Sequence, residues 1–101
     1  MELLLQSLMH LSEDFADFME LPAVSTLKNA SLAINTYIDK CGLAEGPLPL
    51  LGGTYPGPLI HLDMNLTYLF RDDMEELGVN KDRPIAYSKF KALCLKHMKM
   101  M

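Results

Sequence analysis

Residues 1–22 read MELLLQSLMHLSEDFADFMELP, and the fold class turns on the spacing of their apolar positions. Leu4, Leu5, Leu8, Met9 and Leu11, then Phe15, Phe18 and Met19, recur at intervals of three and four. That spacing is the pattern of an amphipathic helix. Ser12, followed by Glu13 and Asp14, suits a helix cap with acids in the first turn, where they favour the helix dipole. The stretch therefore predicts one helix, or two with a break near Leu11. Pro22 closes it, because the residue before a proline avoids the α conformation. With Leu3 included, the early part is apolar on more than one side, and a helix that broadly apolar must be buried all round. A small domain rarely surrounds a terminal helix, so self-association is the natural solution.

Working outward, Val24, Leu27, Ile34, Tyr37, Ile38 and Cys41 give a second helical stripe. It opens at Pro22 or Ser25, and Gly42 sits where a C′ glycine belongs. Residues 43–60, LAEGPLPLLGGTYPGPLI, hold Pro47, Pro49, Pro56 and Pro58 and four glycines. Neither a helix nor a central strand tolerates that density of breakers. Yet Leu48, Leu50, Leu51, Tyr55, Leu59 and Ile60 are apolar, whereas a flexible linker is polar. The reading is an ordered loop, part polyproline II, that lies over the helices or docks a partner. Asp63 or Asn65 then caps a helix running to Leu77, with Leu66, Leu69, Phe70, Met74 and Leu77 on its buried face and Gly78 at its end. After a polar turn containing Pro84, Ser88 begins a last helix. Its apolar side carries Phe90, Leu93, Cys94 and His97 or Met98, with Lys89, Lys91, Lys96 and Lys99 on or near the other. The expected fold is all-α: a small bundle of four or five helices with a long Pro/Gly-rich apolar central loop. A chain of 101 residues fits one domain, residues 1–101.

The formal charge of −4 is unevenly spread. Residues 1–27 carry Glu2, Glu13, Asp14, Asp17 and Glu20 and no Lys or Arg, whereas residues 79–101 carry Lys81, Arg83, Lys89, Lys91, Lys96 and Lys99 against Asp82 alone. The two ends either pair within the fold or face different neighbours. Cys41 and Cys94 lie beside apolar residues and read as reduced, largely buried thiols. The N-terminus lacks the basic and long apolar regions of a signal peptide, and no stretch is apolar enough for a membrane span. The expected location is the cytoplasm.

No clustered ligand set for a metal is present. His61 and Asp63 are the single close His/carboxylate pair, and Asp72, Asp73, Glu75 and Glu76 read as a solvated helix face. There is neither a phosphate loop nor a nucleophile elbow. The sequence therefore predicts no enzyme, no catalytic residue, no metal and no cofactor. The expected function is protein–protein interaction, as a regulator, inhibitor or adaptor. Leu4, Leu5, Leu8 and Met9, with Leu48, Leu50, Leu51 and Tyr55 of the loop, form the expected interface of a homo-oligomer. The alternative is a small DNA- or RNA-binding regulator that sets Lys81, Arg83, Lys89, Lys91 and Lys96 against phosphates. The turn between the last two helices is too long for a standard helix-turn-helix. No membrane partner is expected.

One family comparison rests on Asp72-Asp73-Met74-Glu75-Glu76-Leu77-Gly78-Val79, then Arg83 and a long last helix. This stretch, about a third of the chain, resembles the end of a sterile alpha motif domain. The first half departs from that family, with no Trp in its early helix and a Pro/Gly loop in the middle. The resemblance implies a helical module that joins acidic and basic surfaces head to tail.

Overall fold

The computed structural model describes residues 5–51, 57–80 and 82–101. The all-α expectation is overturned. The described residues form five helices and a three-stranded antiparallel sheet, a mixed α/β fold. In chain order the elements are β1 (Leu8–Leu11), α1 (Glu13–Met19), β2 (Val24–Thr26), α2 (Leu27–Cys41), α3 (Met64–Leu69), α4 (Arg71–Leu77), α5 (Tyr87–Leu95) and β3 (Met98–Met100). The helical bundle implied by the sterile alpha motif resemblance falls with the same finding.

The correction is sharpest at the N-terminus. Leu8, Met9, His10 and Leu11 alternate exposed, buried, exposed, buried, the period of a strand with one face on a core. A short apolar run fits both periods, and tertiary pairing decides between them. Here β1 is the central strand. Leu8, Met9 and His10 lie opposite Thr26, Ser25 and Val24 of β2, and Met9, His10 and Leu11 lie opposite Met100, Lys99 and Met98 of β3. Among the described residues, neither one helix nor two with a break near Leu11 is found: helix begins only at Glu13, with Ser12 as the N-cap of α1, its Oγ accepting from the Phe15 N–H at 3.1 Å.

Helix α2 starts at Leu27, capped by Thr26, and ends at Gly42 with φ 65°. Val24, taken from sequence as helical, lies in β2. The expected helix from Asp63 to Leu77 is two helices, because Phe70 at φ −101°, ψ 13° breaks the run. Asp63 caps the first and Gly78 terminates the second. Helix α5 begins at Tyr87, and Met98, read as its possible extension, starts β3. Among the described residues no helix is long and apolar enough to cross a membrane.

One core joins these pieces. Met9, Leu11 and Met98 from the sheet pack with Phe15, Leu27, Ile34, Ile38, Leu66, Phe70, Phe90 and Leu93 from the helices. The described part of the Pro/Gly loop is ordered over the helices. Leu51 is fully buried in the core and its N–H donates to Ser31 Oγ at 3.2 Å. The carbonyl of Pro49 accepts from Asn35 Nδ2 at 3.1 Å and from the Tyr87 hydroxyl at 2.8 Å. The neck is tied where Ala44 and Ile85 both bridge to Ile60. Gly57 lies so close to Tyr87 that a methyl group there would sit 2.6 Å from its ring Cγ.

Gly57→Ala is expected to push Tyr87 off Pro49 and to cost about 1–3 kcal/mol. Urea unfolding followed by circular dichroism checks it, the midpoint falling with little change in slope.

Candidate functional site

Sequence separation hides a chemically ordered cluster among the described residues. Ser12 sits at the turn from β1 into α1, His97 at the turn from α5 into β3, and Asp73 on α4. Ser12 Oγ lies 2.6 Å from His97 Nδ1, and His97 Nε2 lies 2.7 Å from Asp73 Oδ2. A carboxylate only accepts, so a neutral ring carries its proton on Nε2 and donates it to Asp73. Nδ1 then accepts the Ser12 hydroxyl proton, while Ser12 Oγ accepts the Phe15 N–H.

The backbone holds the same junction, with the Ser12 N–H donating to the His97 carbonyl at 2.7 Å. The imidazole stacks near Phe15, with centroids 6.1 Å apart, and meets Phe70 edge-on at 5.5 Å. Its side chain is 12 % exposed and that of Asp73 is 20 % exposed. The line opens on a surface cavity of about 680 Å³, whose lining includes His10, Ser12, Glu13, Lys96, His97 and Lys99. Sequence reasoning set His97 on a helix face, left Asp73 in a solvated run and took Ser12 for a cap alone. The Ser12 cap was legible, but nothing in the sequence joined it to the other two.

The sequence-predicted interface is dispersed. Met9 and Leu51 lie inside the core, Leu5 and Leu48 pack partly buried against it, and Leu50 is half-buried. Leu8 alone among the described members is exposed, at 53 %. Leu4 and Tyr55 lie outside the described residues.

The basic segment is drawn onto the acidic helix α4. Lys96 Nζ meets Glu76 Oε1 at 2.6 Å, and Lys89 Nζ points to the Leu77 carbonyl at the C-terminal end of α4, 3.5 Å away. Arg83 is exposed and Lys91 half-buried, and Lys81 lies outside the described residues. Of the acids read as a solvated face, Asp72, Glu75 and Glu76 are exposed, Glu76 while meeting Lys96, and Asp73 alone is drawn in, against His97.

No protein-family model, curated protein or solved structure matches the chain.

His61 and Asp63 do not act together. His61 Nε2 meets Glu45 at 3.2 Å on the surface, whereas Asp63 caps α3 and accepts the Tyr37 hydroxyl at 2.5 Å. Cys41 is exposed at the end of α2, against the expectation of burial. Cys94 is fully buried, and that burial pushes its thiol well above the usual range, which keeps it protonated and inert. Burial, reinforced by the bond to Asp63, likewise pushes Tyr37 up to about 12.

Because the folded state favours the neutral Tyr37 phenol, its contribution to stability is complete below the ordinary value of 10.0 and disappears as pH rises through about 12. Tyrosinate absorbance is expected to show a late step near that upper value, and Tyr37→Phe is expected to remove it.

Proposed function

We propose that this chain is a protein-interaction domain that associates with a second copy of itself through the outer face of its sheet. One observation carries the reading. Leu8 and Val24 share the face of the sheet turned away from the core, at 53 % and 38 % exposure. The Met101 N–H donates to the Leu8 carbonyl, continuing the β1–β3 ladder by one residue. Strand alternation sets Met101, 70 % exposed, on the same outer side.

A second copy would bury this apolar group. The polar groups around it are His10, Thr26 and Lys99, which suits the polar rim of an interface. The self-association expected from an N-terminal helix is thus moved to a strand, since residues 8–11 pair rather than coil. A role as regulator, inhibitor or adaptor belongs to the same proposal. So does a reducing compartment such as the cytoplasm, which the two free cysteines suit.

Sedimentation velocity across micromolar concentrations is expected to show the mass rising from 11.4 kDa toward twice that value. Leu8→Asp is expected to hold the chain at the monomer mass with an unchanged circular dichroism spectrum. A wild-type chain that stays monomeric throughout defeats the reading.

A further inference from the structure

We propose that Ser12 is a nucleophile, that His97 is its general base, and that the cavity beside them takes small carboxylic esters. The cavity shares His10 and Lys99 with the rim of the association face, but the proposal does not depend on self-association. It rests on three geometric facts: the 2.6 Å contact of Ser12 Oγ with His97 Nδ1, the 2.7 Å contact of His97 Nε2 with Asp73, and the cavity of about 680 Å³ onto which Ser12 and His97 open.

A serine hydroxyl is a weak nucleophile until an adjacent base accepts its proton, and that base works best when a third group fixes its ring. Both relations are present. Asp73 binds the Nε2 proton and so leaves the Nδ1 lone pair directed at Ser12. Phe15 and Phe70 hold the ring plane. The connection through Nδ1 reverses the nitrogens of the familiar serine-protease arrangement, but the roles depend on geometry and not on which nitrogen faces the serine. The cavity falls within the size range of small-molecule sites.

The chemistry closes on itself. Ser12 Oγ bonds to the ester carbonyl carbon as its proton passes to His97 Nδ1. The bond from that carbon to the alcohol oxygen then breaks, and Nδ1 returns the proton to the departing alcohol. Water attacks the acyl-serine and gives a proton to Nδ1, the bond from Ser12 Oγ to the acyl carbon breaks, and the proton goes back to Ser12. The net change is ester plus water to acid plus alcohol.

The Ser12 N–H donates to the His97 carbonyl and is not free to receive a developing oxyanion. The gain is therefore that of a positioned base, on the order of 10²–10⁴-fold over His97→Gln. Asp73 touches no reacting atom and is a positioning residue.

The test incubates the full chain with a fluorophosphonate and locates the adduct by peptide mass spectrometry, with 4-nitrophenyl acetate hydrolysis as a second readout. Covalent label on Ser12 is expected, with loss of label in His97→Gln. Asp73→Asn is expected to lower the maximal labelling rate about 10-fold or more and to leave the half-saturating probe concentration unchanged, a split that mere loosening of the fold would not give. Leu8→Asp is expected to label as the wild type does, which separates this site from the association surface. Wild-type chain that is folded by circular dichroism yet carries no label on Ser12 overturns the proposal and leaves the Ser12–His97–Asp73 line a structural clasp. So does label spread equally over other serines.

Discussion

The pairing of Leu11 and Ser12 with Met98 and His97 is the contact on which the rest depends. Leu11 lies opposite Met98 in the sheet, and the Ser12 N–H is bonded to the His97 carbonyl. The residues are 85 apart in sequence, so this contact closes almost the whole chain on itself. Closure over so long a loop costs entropy before any contact repays it. The repayment is concentrated here: the β1–β3 ladder, the Ser12–His97–Asp73 line, and the Phe15 and Phe70 rings around the imidazole. Each group also serves its own element. Ser12 caps α1, Asp73 stands on α4, and His97 ends the turn after α5.

The central loop is held by a different device with the same logic. A segment with so many prolines lacks backbone donors and forms no regular ladder. The fold instead brings side-chain partners to the loop, both donors and an acceptor. Asn35 and Tyr87 both reach the Pro49 carbonyl, and Ser31 accepts the N–H of Leu51. Leu51 then fills the core as a helical leucine would. The cost is visible at Asn35, whose Oδ1 is buried without a partner among the described residues. The described part of the loop, residues 43–51 and 57–60, packs with the helices, and its apolar residues are the sequence trace of it.

Helix ends were legible because they are local. Ser12, Asp63, Gly42 and Gly78 each act within a few residues of themselves, and each does what its chemistry implies. The strands were not legible because they are short and their partners are distant. Leu8–Leu11 satisfies a helical and a strand period alike, and the choice is made by Val24–Thr26 and Met98–Met100. Residues of β2 and β3 sit next to α2 and α5, so each reads as the fringe of its helix. The Ser12–His97–Asp73 line was illegible for a stronger reason. Its members carry no spacing signature, and the sheet that brings them together was itself unseen.

Charge followed the same division between local and distant. The acidic front and basic back suggested two ends that attract each other. The fold gives the basic segment a nearer partner in α4, where Glu76 takes Lys96 and Asp73 takes His97. Lys89 reaches the carbonyl end of that helix, a favourable place for a cation. These contacts neutralise part of the surface that a nucleic acid would need and leave the acids of α1 unmatched by them. Asp73 does more than balance charge. By accepting the Nε2 proton it orients the ring so that Nδ1 meets Ser12, and one residue of an otherwise exposed acidic run thereby orders a side chain on another element.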